Sequence, residues 1–337
     1  MRHGLALGVA ALLLAGCEQV QDGPPASYYD QTGRADAWSG GVTMVPIEAD
    51  GGPYKVWIKR TGNNPKLKLL LLHGGPAFGH DYMEAFDSFL PATGTEFYQY
   101  DQLGSGWSDR PDNDALWTIE RYVDEVDQVR AAIGGDAGNF CLLGQSWGGM
   151  LAIEYALAHP DKVKCLIISN MMASIPAYNR YAKEVLIPQA NPDDVALVLK
   201  LEEEGKTDDP RYMGTLIPMW YEQHILRRPF AEWPHGVMRA FERANMHIYT
   251  LMQGPSEMGA GGTLVDWDRF EDLAKIEVPT LVISGKYDTM DPAYMEAMSK
   301  KLPNGELLAT NGSHMAMYDD QEAYFKGLAS FLKTQDR

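Results

Sequence analysis

Residues 139–150 read NFCLLGQSWGGM, and the run Gly144-Gln145-Ser146-Trp147-Gly148 at its centre decides how the rest of the chain is read. An apolar stretch (Phe140, Cys141, Leu142, Leu143) stops at a glycine, and a helix-compatible stretch over 150–159 begins just after it. Strand, G-x-S-x-G and helix in that order make a nucleophile elbow, a turn so tight that the serine backbone is strained. The flanking glycines keep side chains from clashing there. Ser146 is therefore expected at the end of a sheet, its hydroxyl projecting above a helix N-terminus.

Other strand-like runs fall at 41–48, 54–59, 67–72, 96–100, 164–169, 280–284 and 306–309. Several are continuously apolar rather than alternating, as parallel strands covered on both faces must be. Amphipathic spacing at 119–133, 150–159, 292–302 and 321–333 separates the later runs. This alternation predicts an α/β fold with a mostly parallel central sheet flanked by helices. Between 170 and 254 the alternation breaks: Met, Trp, Tyr, Arg and Glu recur at helical spacing, cut by prolines, with no convincing strand. Residues 171–254 are expected to form an inserted helical cap over Ser146, on a core built from 41–170 and 255–337.

A serine hydroxyl is a poor nucleophile until a base takes its proton, and the base needs an orienting partner. In the elbow fold the partners follow in the order acid, then histidine. The run 280–284 leads into Gly285-Lys286-Tyr287-Asp288, a strand entering a loop at a carboxylate. Asp288 is favoured over Asp291, which precedes Pro292 at a helix start where N-capping explains it. The run 306–309 leads into Asn311-Gly312-Ser313-His314, which makes His314 the expected base among eight histidines. His73-Gly74-Gly75-Pro76 follows the run 67–72. An oxyanion hole takes one backbone N–H from that early loop and one from the residue after the nucleophile, so Gly75 and Trp147 are the expected donors. His73 is expected to hold the loop rather than to take part in the chemistry.

The 337 residues carry a net charge of −17 without a Lys/Arg cluster, which excludes a nucleic-acid partner and suits a soluble surface. No Cys pair or His-x-x-x-His spacing is present, so no metal or cofactor is expected. Arg2 and His3 precede an apolar run over 5–15, too short to span a bilayer and of the length of a secretory signal. It ends Leu14-Ala15-Gly16-Cys17, which resembles a bacterial lipobox. The resemblance implies a signal peptide over 1–16, lipidation of Cys17 and a membrane-anchored protein of the cell envelope. Glu18 in place of aspartate leans towards the periplasmic side of the outer membrane. The polar stretch 17–40 suits a flexible tether. Cys141 and Cys165 lie in apolar runs where buried free thiols are expected, a disulfide between them being open in an oxidising periplasm.

With these pieces in place the chain resembles the proline iminopeptidase (prolyl aminopeptidase) family of α/β-hydrolases, nearest the tricorn-interacting aminopeptidase and L-amino-acid amidase branch. The motifs are HGGPA at 73–77, YDQLGSGWSD at 100–109, GQSWGGMLAIEYALAHP at 144–160, GPSEMGAGGTLVDWD at 254–268, GKYD at 285–288 and GSH at 312–314. The resemblance implies the α/β-hydrolase fold and a serine exopeptidase acting on short peptides or amino-acid amides. It also implies that Glu257 binds the substrate's α-ammonium group and that Tyr249 lies on the substrate side. Two positions depart from the family pattern: Ala77 stands where glycine is usual, and Thr289 where a second clamp glutamate follows the triad aspartate. Asp291 or Glu222 are the candidate replacements for that carboxylate, and its loss would broaden the preference beyond proline. A carboxylesterase on the same fold, and more remotely a non-catalytic peptide-binding lipoprotein, are the alternatives.

Overall fold

Leu69, Leu70, Leu71 and Leu72 are all fully buried, as a central strand with helices on both faces requires. Leu70 and Leu72 enter one apolar cluster and Leu69 and Leu71 the other, because successive strand residues point to opposite faces. Each such leucine contributes about 2 kcal/mol of burial free energy. The computed structural model describes Pro24 and residues 26–336. The expected signal segment, Cys17 and the first part of the tether lie outside the described residues.

The sheet contains β1 (Val42–Ile47), β2 (Tyr54–Thr61), β3 (Lys68–Leu72), β4 (Glu96–Tyr100), β5 (Phe140–Gln145), β6 (Cys165–Ser169), β7 (Thr280–Gly285) and β8 (Gly305–Thr310). Their spatial order is β1-β2-β4-β3-β5-β6-β7-β8. β2 runs antiparallel to β1 and β4, and every pairing from β4 to β8 is parallel. The helices α1 (Ile119–Ala132) and α2 (Trp147–Ala158) follow β4 and β5. α2 starts three residues earlier than its apolar spacing indicated, directly at the elbow.

Between β6 and β7 the chain leaves the sheet and is helical: α3 (Ile175–Tyr181), α4 (Pro192–Glu203), α5 (Pro210–Leu216), a π-helical turn (Ile217–Ile225), α6 (His235–Arg243) and α7 (Met246–Met252). Pro192 and Pro210 sit in first turns, where a missing N–H costs nothing, so they start helices rather than cut them, whereas Pro218 lies inside the continuous helical run 210–225, where it passes from α to π. Val198, Leu216 and Trp220 of this cap join the cluster containing Leu69, Leu71 and Leu143. α8 (Pro292–Lys301), α9 (Ala316–Asp319) and α10 (Gln321–Gln335) complete the core. No helix among the described residues is long and apolar enough to cross a membrane.

Two findings bear on these expectations. Within residues 26–40, part of the expected tether, Tyr28 is buried with its hydroxyl donating to the Thr95 carbonyl at 3.0 Å, and Asp36 pairs with Arg60 at 2.9 Å, while Tyr29 and Trp38 are exposed. Cys141 and Cys165 are not free thiols but a disulfide. The register of β5 against β6 makes them direct cross-strand neighbours with Cα atoms 4.6 Å apart. The continuous apolar runs could not reveal that register.

Candidate active site

Ser146 occupies φ 56° and ψ −128°, the strained turn expected between β5 and α2. Its N–H donates to the Ser169 carbonyl at 3.0 Å, which ties the elbow to β6. A Cβ at Gly144 would stand 1.9 Å from the Gly148 carbonyl oxygen, and one at Gly148 would stand 2.0 Å from that of Leu72. Both glycines are thus demanded by backbone contacts that cannot yield. Gly148→Ala is expected to lower stability by about 3 kcal/mol, read from the denaturant midpoint at an unchanged m-value.

The histidine expected as base is where its motif put it, after β8. His314 Nδ1 donates to Asp288 Oδ1 at 2.8 Å, and Ser146 and His314 line the same cavity. No hydrogen bond joins the Ser146 hydroxyl to His314 among the described residues. In unliganded hydrolases this bond commonly tightens only as substrate arrives. Asp288 is fully enclosed and accepts from Asn170 Nδ2 at 2.7 Å, the Met290 N–H at 3.1 Å and the Thr289 hydroxyl at 3.3 Å. Asp291 caps α8 by accepting from the Ala293 N–H at 2.9 Å, as read from Pro292. Burial pushes the His314 imidazole down, but the Asp288 carboxylate, by charge and hydrogen bond, with Glu257 beyond it, holds it above its ordinary value.

Neither the Gly75 nor the Trp147 amide meets a hydrogen-bond acceptor among the described residues, so both remain available to an oxyanion. The surrounding loops are fixed by buried side chains. His73 Nε2 accepts from the Gln102 N–H at 3.1 Å, and burial holds this imidazole down at about 4, hence neutral. Gln102 also accepts from Trp147 Nε1 at 2.8 Å and donates to the His73 carbonyl at 3.0 Å. The Tyr82 hydroxyl accepts from the Gly74 N–H at 2.6 Å and donates to Gln145 Oε1 at 2.7 Å. Gln145 Nε2 in turn donates to the His314 carbonyl at 3.1 Å. One chain of bonds therefore links the oxyanion loop to the histidine loop. Ala77 takes φ 64°, so this chain keeps the left-handed turn with alanine, at a cost of about 1–2 kcal/mol.

Above Ser146 lies a small cavity, walled by Phe78, Tyr221, Ile225, Phe241 and Met315. Glu257 and Tyr249 face it, and the Tyr249 hydroxyl donates to Glu257 Oε1 at 2.6 Å. Tyr249 therefore holds the carboxylate. The Glu257 carbonyl accepts from Tyr178 at 2.7 Å and from Trp220 Nε1 at 2.9 Å, which fixes its loop. Burial raises the Glu257 pKa above the ordinary carboxylate value, although the facing His314 and the Tyr249 hydroxyl pull the other way. Glu257 is the one acidic side chain lining the cavity among the described residues. Of the two candidate replacements for a second carboxylate, Asp291 caps α8 and Glu222 accepts from the Phe230 N–H at 2.6 Å, and neither lines the cavity.

Three residues that hold this site fall outside the sequence reading: Asn170 and Tyr82 belong to no motif, and Gln145 fills the variable position of the elbow motif. The available signal was a polar residue at the end of an apolar strand, which Asn170 and Gln145 both provide. A different cluster, His80, Asp81 and Glu84, brings metal-ligating atoms within 4.8 Å of one another. Its atoms are engaged elsewhere, His80 with Asp101 at 2.8 Å, Asp81 with Arg239 at 3.0 Å and Arg243 at 3.1 Å, and Glu84 with Arg239 at 2.5 Å. Two guanidinium groups already neutralise that cluster.

Comparison with known proteins agrees with this geometry. A family model described as the alpha/beta hydrolase fold matches residues 69–197. The proline iminopeptidase of Flavobacterium johnsoniae is 52% identical over 290 residues, covering 86% of this chain and 97% of that protein. The proline iminopeptidase of Elizabethkingia meningoseptica is 50% identical over 296 residues, covering 87% and 98%. The crystal structure of the Mycobacterium smegmatis proline iminopeptidase aligns with a TM-score of 0.77 at 30% identity, over 88% of this chain and 98% of that one. With an elbow serine, a histidine–carboxylate pair and relatives of this similarity over nearly their full length, the chain belongs to the proline iminopeptidase family of α/β-hydrolases.

Proposed function

We propose that this protein is a serine aminopeptidase that releases an N-terminal residue, proline preferred, from short peptides or amino-acid amides. The observation that carries the reading is a single carboxylate, Glu257, facing the same small cavity as Ser146 and His314. A free N-terminal ammonium paired with Glu257 would set the first residue's carbonyl over Ser146, with its side chain against the apolar wall. His314 takes the Ser146 proton as Oγ attacks, Asp288 stabilises the imidazolium, and the Gly75 and Trp147 amides bind the oxyanion. His314 then protonates the leaving amine. Water, activated by the same imidazole, hydrolyses the acyl-enzyme and frees the amino acid.

A matched panel tests this: prolyl-, alanyl- and leucyl-arylamides, N-acetylprolyl-arylamide and a short acyl ester. Cleavage of the prolyl substrate with the acetylated form inert is expected. Turnover of the ester alone would assign the protein to the carboxylesterases. With Thr289 buried and one carboxylate at the cavity, measurable alanyl cleavage is also expected.

The pH profile follows from the same groups. His314 acts as a base only when neutral, and the Asp288 carboxylate holds its pKa above the ordinary histidine value, so kcat/KM should rise with pH through a midpoint above that of a free imidazole. Peptide substrates should also lose rate as their own ammonium deprotonates at about 8. The ester should keep the rising limb and lack the falling one. A falling limb of equal depth for both would remove the ammonium from the reading.

We propose also that Cys17 is acylated after cleavage behind Gly16, anchoring the enzyme to the outer membrane on its periplasmic side. The run Leu14-Ala15-Gly16-Cys17 supports this. Fractionation of the wild type beside Cys17→Ala is the test. Release of the variant from the membrane is expected, and equal retention would end the idea.

A further inference from the structure

The last carbonyl groups of a helix have no intrahelical N–H to accept from and must find partners elsewhere. At the end of the π-helical turn of the cap, those partners belong to the catalytic histidine loop. The His224 carbonyl accepts from the His314 N–H at 2.9 Å, and the Ile225 carbonyl accepts from the Met315 N–H at 2.9 Å and the Ser313 hydroxyl at 2.9 Å. Two residues on, the Arg227 N–H donates to Asp319 Oδ2 at 3.2 Å, and that carboxylate also accepts from the Ser313 N–H. The His224 ring reaches the other catalytic loop: Nδ1 donates to the carbonyl of Tyr287, the residue before Asp288, at 3.0 Å. Burial lowers the His224 pKa, which keeps the ring neutral and in a form suited to that bond.

The same turn faces the substrate. Tyr221 and Ile225 line the cavity, and Trp220 Nε1 holds the Glu257 carbonyl while its ring stands edge-on to His224 with centroids 5.0 Å apart. Nine residues therefore touch the acid loop, the base loop, the clamp loop and the cavity wall. A π-helical turn adds one residue to the ordinary helical repeat and is often found at functional sites. We infer that His224 is a positioning residue for the triad, and that this cap turn, rather than the sheet alone, sets the distance between the His314 and Asp288 loops. The inference rests on the serine-hydrolase part of the proposed function and not on the N-terminal residue preferred.

The experiment compares wild type, His224→Ala and His224→Asn by steady-state kinetics on prolyl-arylamide, by the rate of Ser146 labelling with a fluorophosphonate, and by thermal melting. Asparagine is the rescue because its Nδ2 can reach the Tyr287 carbonyl much as the imidazole Nδ1 does. His224→Ala is expected to lower kcat roughly tenfold, with KM changed less than about twofold. Labelling should slow in parallel. The rising limb of the pH profile should move to lower pH, because a loosened Asp288 contact removes part of what holds the His314 pKa up. The carboxylates acting on His314 are Asp288, Glu257 and Asp319. His224→Asn should recover most of the kcat, the labelling rate and the limb position. An unchanged kcat in a folded His224→Ala, a loss confined to KM, or a folded His224→Asn as slow as His224→Ala would overturn the assignment. The labelling rate needs no ammonium anchor, so it still decides the matter if prolyl-arylamides prove not to be substrates.

Discussion

Asp288→Asn is expected to lower kcat by about four orders of magnitude, the scale the same change carries in a serine-protease triad, with the fold retained. The reason is local. The Asp288 carboxylate is ringed by donors: His314 Nδ1, Asn170 Nδ2, the Met290 N–H and the Thr289 hydroxyl. A carboxylate meets them with acceptors only, whereas an amide has one oxygen and an NH2 group that donates. If the amide oxygen stays with Asn170, the NH2 faces His314 Nδ1 and favours the tautomer protonated at Nε2. That tautomer cannot take the Ser146 proton. If the oxygen faces His314, two NH2 groups meet at the Asn170 side. Either way the charge that stabilises the imidazolium is gone. Single-turnover hydrolysis of prolyl-arylamide together with fluorophosphonate labelling measures this, and a loss below about a hundredfold would contradict the role given to Asp288.

Glu257→Gln should separate binding from chemistry. Glutamine keeps the size and an oxygen to accept from the Tyr249 hydroxyl, so the loop held by Tyr178 and Trp220 is expected to stay in place. What disappears is the charge facing the substrate. A hydrogen bond to a charged group within a cavity of this kind is worth about 3 kcal/mol, or roughly two orders of magnitude in kcat/KM. That loss should appear with free-amine substrates only. Ester hydrolysis and fluorophosphonate labelling should change less than about threefold, since neither uses an ammonium group. An equal fall on both substrate types would mean that Glu257 supports the triad rather than the substrate.

What was legible in the chain was what is encoded within a few residues. Gly144 and Gly148 stand two residues either side of Ser146, where the backbone leaves no room for a Cβ, so the elbow could be read from five letters. The leucines of β3 had to be buried on both faces, so a parallel sheet could be read from their continuity. Asp288 and His314 each follow a strand directly, and that local transition was enough to separate them from Asp291 and from the other histidines. The absence of strands between β6 and β7 was visible too, although the prolines there read as breaks and Pro192 and Pro210 act as helix starts.

The remainder depended on contacts between distant parts of the chain. Asn170 orients Asp288 across 118 residues, and Gln145 reaches the His314 loop across 169. The Cys141–Cys165 pairing required the register of two apolar strands, which periodicity cannot supply. The packing of Tyr28 against Gly62 and Thr95 buries one residue of the expected tether. Sequence by itself thus determined the elbow, the parallel sheet and the order of serine, acid and base, because glycine sterics and apolar continuity act over a turn or a strand. Only the tertiary structure decided which polar side chains lock those residues together. A hydrogen bond needs a partner within about 3 Å, and that distance exists only once the sheet and the cap have closed on each other.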